Sequence, residues 1–142
     1  MQSTPTRMGE QVLIVVEKES GVPIYRQIVD QVRFQVDSGI LRPGDQLPST
    51  RSLSQELGVN PMTVSKSFGL LEEEGLVSRR PGLQLVIAER TADDEKRGRE
   101  AQLTALLEPV ATAARQLGIG TEHAVLILRE VMARTTQEEE QR

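Results

Sequence analysis

Arg51, Lys66, Arg79 and Arg80 stand among small polar neighbours in a way that suggests chemistry. Ser49 comes two residues before Arg51, Thr63 and Ser65 precede Lys66, and Gly82 follows the arginine pair across a proline. Cations, hydroxyls and amides of this kind bind phosphate oxygens through charge-assisted hydrogen bonds, and arginine can also read a guanine edge. Covalent chemistry is out of reach: the chain has no cysteine, and its single histidine, His123, has no partner histidine or cysteine in the sequence. A P-loop and a glycine-rich nucleotide fingerprint are missing as well. The class of function left is recognition of a polyanion. Its positive charge must be local, because the formal net charge is −4.

The stretch LSQELGVNPMTVSKSFGLLEEEG, Leu53 to Gly75, is the scaffold for these groups. Leu53 and Leu57 lie one turn apart on a helix that Gly58 stops, leaving Val59 to drop into the core. Asn60 in front of Pro61 is biased to the extended conformation of an N-cap, and Pro61 at the first helical position gives up an amide that had no partner. On the second helix Val64, Phe68 and Leu71 recur at i, i+4 and i+7 and face the core, which turns Met62, Ser65, Lys66 and Gly69 outward. That face carries no acid until Glu72, Glu73 and Glu74, which read as a solvated helix end. Its N-terminal half is therefore the part suited to phosphate, and a recognition helix presents its base contacts from that half. Met62 can offer a thymine methyl apolar contact and nothing more. Arg51 begins the preceding helix, capped by Ser49; the helix dipole disfavours a cation there, so an external anion supplies its reason.

The rest of the chain supports or duplicates this unit. Residues 1–9 read as a flexible N-terminus and Val12–Glu17 as a lone edge strand. Pro23 opens a helix whose Ile24, Ile28, Val29, Val32 and Val36 keep the 3.6 period as far as Gly39, with Tyr25 expected in the core. Arg42-Pro43-Gly44-Asp45 reads as a turn. Leu76–Arg80 and Leu83–Ile87 flank Pro81-Gly82 as two strands around a tight loop, a wing. Neighbouring strand residues point to opposite faces, so one of Arg79 and Arg80 reaches a given DNA backbone unless the tip turns both.

Thr91–Arg99 reads as a charged linker in which Gly98 lowers the helical tendency, which puts the domain boundary there. A helix expected from Glu100 carries Leu103, Leu106, Leu107, Val110, Ala114 and Leu117 as an apolar stripe, with a kink at Pro109. After Gly118-Ile119-Gly120, Thr121 caps a last helix in which Ala124–Leu128 is an unbroken apolar run, and Val131 and Met132 follow. Two helices cannot cover such a surface alone. Either they dock on the first domain or they pair with another copy, and Leu103, Leu106, Leu107, Val110, Leu117, Val125, Leu128, Val131 and Met132 are the residues expected at a dimer interface. Residues 137–142 read as a flexible tail.

Composition sets the outer limits. With 142 residues, 37% hydrophobic and 2% aromatic, the chain can bury one modest core and a satellite. The absence of cysteine fits a reducing cytoplasm, no stretch is long and apolar enough to span a bilayer, and no secretory leader is expected at the N-terminus. No metal or cofactor is expected. The chain therefore reads as residues 10–90 for the first domain and 91–136 for a helical appendage.

Pro23-Ile24-Tyr25, Ser38-Gly39, Pro43-Gly44-Asp45, Leu47-Pro48-Ser49, Arg51, Leu57-Gly58-Val59 and Leu71-Glu72-Glu73-Glu74-Gly75-Leu76-Val77 together resemble the winged helix-turn-helix domain of the GntR family of bacterial transcription regulators. The likeness spans residues 12–88; Asn60-Pro61 with Thr63-Val64 and Ser65-Lys66, and the short helical C-terminus, resemble its YtrA-like subfamily. The resemblance implies a mainly α fold with a small β-wing, followed by a C-terminal helical hairpin for dimerisation. It also implies DNA contacts by Arg51, Thr63, Ser65 and Lys66 on the helices, and by Arg79, Arg80 and Gly82 in the wing. Ser49, Asn60 and Met62 complete the expected DNA-binding set.

The leading expectation is a homodimeric repressor on a palindromic operator in double-stranded DNA, cytoplasmic and without a membrane partner. Any small-molecule effector would bind at an interface, since there is no dedicated effector domain. A winged helix that docks proteins is the rival, because residues 22–90 carry as many acidic as basic side chains. Salt dependence separates the two readings, since phosphate contacts release counterions. An enzyme is the distant third.

Overall fold

The computed structural model describes residues 13–82 and 84–142. In chain order the elements are α1 (Ile24–Asp37), α2 (Thr50–Leu57), α3 (Pro61–Glu73), β1 (Val77–Arg79), β2 (Leu85–Ile87), α4 (Ala92–Gln116) and α5 (Thr121–Glu140). They fall into two compact units, one ending at Glu100 and one starting at Ala101.

In the first unit α3 packs on both α1 and α2, and its end meets β1. The apolar spacing explains this: Ile28, Val32, Val64 and Leu71 are fully buried, and Phe68 and Leu53 nearly so. Ser67 is fully buried among them. Its hydroxyl lies 2.9 Å from the Thr63 carbonyl oxygen and 3.2 Å from that of Tyr25, so its proton always has an acceptor within the α1–α3 contact. Tyr25 itself departs from expectation. It is half-buried, and Lys66 covers its ring. At the far end of the same contact Arg33 grips the Glu74 carboxylate with distances of 2.6 and 2.8 Å, and also reaches Asp30.

The expected flexible N-terminus, residues 1–9, and the first residue of the expected edge strand, Val12, lie outside the described residues; the described part, residues 13–17, is extended and pairs with no strand among the described residues. Its partners are glutamine side chains of α1. Gln31 accepts from the Val15 amide at 2.9 Å and donates to the Val15 carbonyl at 2.6 Å. Gln27 does the same for Glu17, at 2.8 and 2.9 Å. Gln35 donates to the Leu13 carbonyl at 2.8 Å, while its Oε1 is buried with no hydrogen-bond partner among the described residues. A carboxamide can present an N–H and its carbonyl oxygen side by side, as a neighbouring strand would. Alternation then buries Ile14 and leaves Leu13 and Val15 outward.

The wing pairs Val77 with Ile87 and Arg79 with Leu85 in an antiparallel hairpin. The stretch before Leu47, which the sequence presents as a turn, also lies along the free edge of β2: the Ile87 amide donates to Asp45, and the Leu47 amide to Leu85, both at 2.8 Å. Gln46 bridges to Val86. This third edge ties the wing to the entrance of α2.

The expected charged linker is helical instead. α4 starts at Ala92: the Thr91 hydroxyl caps the Asp94 amide, and Asp93, Asp94 and Glu95 sit where the dipole favours acids. Hydrogen bonds from Arg97 and then Thr91 hold the Asp94 carboxyl below the usual carboxylate range. Gly98 has a packing reason. A Cβ there would come within 2.3 Å of Asp37 Oδ1 and 2.6 Å of an Arg90 nitrogen, so the bare helix backbone lies against the buried Asp37–Arg90 ion pair, 2.8 Å long. Arg90 also donates to the Asp94 carbonyl at 2.7 Å.

In the second unit, Gly120 rather than Thr121 takes the N-cap position of α5, and the helix continues to Glu140, through the stretch expected to be a loose tail. Pro109 lies inside α4 without ending it. Neither helix buries a residue, and the two make no extended contact with each other. Leu103, Leu106, Val110, Leu117, Val125, Leu128, Val131 and Met132 are all exposed, and Leu107 is half-buried.

Two glycines test the packing argument. Helix propensity alone favours Ala over Gly by about 1 kcal/mol. At Gly69, where an added Cβ meets nothing within 4 Å, Ala should raise stability by up to that amount. At Gly98 the sign should invert, with a loss of about 1–3 kcal/mol as the ion pair is forced aside. Thermal melts of the two variants check the opposite signs; equal stabilisation would dissolve the packing reason for Gly98.

Candidate nucleic-acid interface

The turn between α2 and α3 is built from backbone conformations that its residues favour. Gly58 adopts φ 65°, the left-handed conformation that ends α2, and Asn60 is extended at φ −63° and ψ 130°. The Asn60 carboxamide accepts from the Met62 amide at 2.8 Å and Pro61 follows at the first helical position, as the sequence implied. Lys18, which the sequence did not single out, donates to the Gly58 carbonyl at 2.9 Å and fastens the turn from outside. Ser49 caps α2 by accepting from the Ser52 amide at 3.0 Å. Ser49 and Asn60 thus have structural duties whatever else they touch. The cap uses the Asn60 side-chain oxygen and leaves its amide protons without an acceptor among the described residues.

This geometry sets the start of α2 and the middle and last turns of α3 beside the wing, with a polar groove of about 340 Å³ between them. Ser49 and Thr50 form one wall, Ser65, Gly69 and Glu72 another, and Arg79 and Gln84 the third. Gly69 keeps the groove open, since nothing lies within 4 Å of where its Cβ would be. Of the expected residues, Ser49, Ser65 and Arg79 meet here. Arg51, Asn60, Met62, Lys66, Arg80 and Gly82 are exposed outside it, Met62 at 77%, and Thr63 is half-buried. The two wing arginines divide as strand alternation requires. Arg79 shares a face with buried Val77 and leans over the groove, whereas Arg80 does not line it.

The basic side chains have two different surroundings. Arg33 and Arg90 are spent on carboxylates, as described above. Arg51 and Arg80 have no ion-pair partner among the described residues, and Arg79 has a loose one, Glu72 at 4.0 Å. The Lys66 ammonium rests 3.9 Å from the centroid of the Tyr25 ring, a cation–π contact that fixes its direction without neutralising it. Arg26 approaches the same ring at 5.9 Å. Residues 22–90 therefore carry balanced charge overall, yet the cations without an ion-pair partner among the described residues include Arg51 on α2, Lys66 on α3 and Arg80 in the wing.

Glu72, Gln84 and Tyr25 belong to this surface, although sequence reasoning left them out. Glu72 had a readable signal, since it follows Ser65 by seven residues and Gly69 by three and so shares their helix face. Gln84 and Tyr25 had none, because their positions depend on the hairpin register and on the α1–α3 contact.

Comparison with known proteins agrees with this geometry. A family model described as bacterial regulatory proteins, gntR family, matches residues 24–86. The HTH-type transcriptional repressor YtrA of Bacillus subtilis is 31% identical over 121 residues, covering 85% of this chain and 93% of that protein. A transcriptional regulator from Oenococcus oeni has a similar structure, with a TM-score of 0.65, 29% identity, and coverage of 86% of this chain and 98% of that one. A GntR family transcriptional regulator from Listeria monocytogenes gives a TM-score of 0.67 at 26% identity, over 79% and 97% of the two chains. A winged helix-turn-helix unit followed by C-terminal helices, with these similarities along nearly its whole length, makes the chain a member of the GntR family of bacterial transcription regulators and not an enzyme.

Proposed function

We propose that the chain is a homodimeric transcriptional repressor that binds a palindromic operator through α3, the start of α2 and the wing. The observation that carries this reading is the uneven use of its cations. Arg33 and Arg90 are neutralised, whereas Arg51 and Arg80 have no ion-pair partner among the described residues. An uncommitted cation at a helix start is unfavourable unless an outside anion meets it, and a phosphate backbone does so at several points at once. In this reading Arg51, Asn60, Met62, Thr63 and Ser65 face base edges or adjoining phosphates, Ser49 and Lys66 hold the backbone, and Arg79, Arg80 and Gly82 form the wing contact. The similarity to a repressor along most of the chain supports the regulatory sense. A cytoplasmic location follows from a DNA target, and among the described residues no helix is long and apolar enough to cross a membrane.

The dimer rests on the second unit. An apolar surface that includes Leu103, Leu106, Val110, Leu128 and Val131 stays exposed in the single chain, and a second copy supplies an identical stripe to cover it. The boundary for cutting it away lies after Glu100 and not in the residues before α4, because Arg90, Asp94 and Gly98 belong to the first unit.

The variants separate the proposed roles. Arg51→Ala should cost about 1–3 kcal/mol against the operator and relax one base position, if it holds a guanine. Arg80→Ala should weaken all duplexes alike and lower the salt slope by about one unit per half-site. Asn60→Asp keeps the cap but puts a carboxylate on the surface, so stability should hold while binding falls. Titrations at several salt concentrations, alongside thermal melts, read all three. Salt-independent binding would return the protein-docking reading to first place.

Leu128→Asp should dissociate the dimer, since a carboxylate has no partner in an apolar seam, and half a palindrome should bind poorly. Sedimentation at micromolar concentration decides the first point; a dimer that survives puts α5 outside the interface.

A further inference from the structure

We propose that Glu72 sets the selectivity of the DNA-binding face, by holding the Arg79 guanidinium over the groove and opposing any duplex seated without the contacts that release it. The inference rests on the DNA-binding reading above and assigns a role to a residue outside the expected site. Glu72 lies in the last turn of α3, where the helix dipole disfavours a carboxylate. Its neighbour Glu74 is compensated by Arg33. Glu72 instead turns into the groove, between Ser65 and Gly69 on its own helix and the wing, with Arg79 at 4.0 Å.

The pair is exposed on both sides, with 65% of the Arg79 and 43% of the Glu72 side chain accessible, so it is weak enough for a phosphate to displace. Displacement has a consequence that a simple latch would not have. Once Arg79 moves to a phosphate, the Glu72 carboxylate is left beside a polyanion. A duplex whose seating offers the carboxylate a hydrogen-bond donor relieves the repulsion, and other duplexes do not. The carboxylate therefore discriminates mainly by rejecting wrong duplexes, and the gap between right and wrong binding widens.

The experiment uses the full chain and two duplexes of equal length: the one that wild-type protein selects from a random pool, and an unselected random sequence. Anisotropy titrations at several KCl concentrations compare wild type with Glu72→Gln, Glu72→Asp, Arg79→Ala and Glu72→Gln/Arg79→Ala. Glu72→Gln should tighten random-duplex binding by about three- to tenfold and steepen its salt slope by about one unit per head, as Arg79 becomes free to neutralise a phosphate. Its effect on the selected duplex should be smaller, so the preference falls. Glu72→Asp should keep the wild-type preference, and the added Arg79→Ala should abolish the steeper salt slope of Glu72→Gln while the preference stays low. Equal tightening of both duplexes by Glu72→Gln, an unchanged preference, or a double variant that keeps the steeper salt slope of Glu72→Gln would overturn the proposal. If wild type selects no duplex and binds without salt dependence, the DNA-binding reading fails first and takes this inference with it.

Discussion

One face of α3 is committed to the interior, and that commitment decides what its other face can do. Val64, Ser67 and Leu71 are fully buried against α1 and α2, which fixes the rotation of the helix about its axis. Ser65, Gly69 and Glu72 then have one direction left to face. The chain enters α3 through the left-handed turn at Gly58 and leaves it through Leu76 and Val77, both buried, so α2 and the wing hang from the same rod. The three walls of the groove belong to one core, and a change inside that core moves all of them together.

Charge follows the same logic of placement. Count alone says little, because residues 22–90 balance acids and bases. Burial sorts them: Arg90 closes on Asp37 in a site where either charge alone would be expensive, and Arg33 spends its fork on Glu74. Among the described residues the cations left without an ion-pair partner include Arg51 at the start of α2, Lys66 on α3 and Arg80 in the wing. A protein of net negative charge can in this way present a positive face of limited extent, which suits it to a defined site better than to nucleic acid at large.

Much of this was legible in the sequence, and the reasons differ from residue to residue. The turn at Gly58–Pro61 and the core face of α3 are local matters, set by caps and a 3.6 period, and the residue order alone specifies them. The pairing of residues 45–47 with β2 was hidden, because Pro43-Gly44-Asp45 signals a turn and its partners lie some forty residues away. Gly98 misled: as a poor helix former it suggests a break, whereas a close approach to Asp37 calls for it inside a helix. Tyr25 looked like core because aromatic residues usually are, and Lys66 claimed its ring instead. Glutamines 27, 31 and 35 carried no signal at all, since polar residues at a spacing of four look like a solvated helix face.

Those glutamines act as a vernier between two rulers. A helix advances about 6.0 Å in four residues, while an extended chain advances about 6.6 Å in two, so successive carboxamides meet successive odd-numbered residues with a small error that accumulates. The match is good at Gln27 with Glu17 and Gln31 with Val15, where both hydrogen bonds form. At Gln35 one bond forms and the Oε1 is left over. A sheet can lengthen its edge indefinitely because both partners share one period; a helix that imitates a strand runs out of coincidence after about three teeth, and the length of chain it can hold is set by arithmetic before any side chain is chosen.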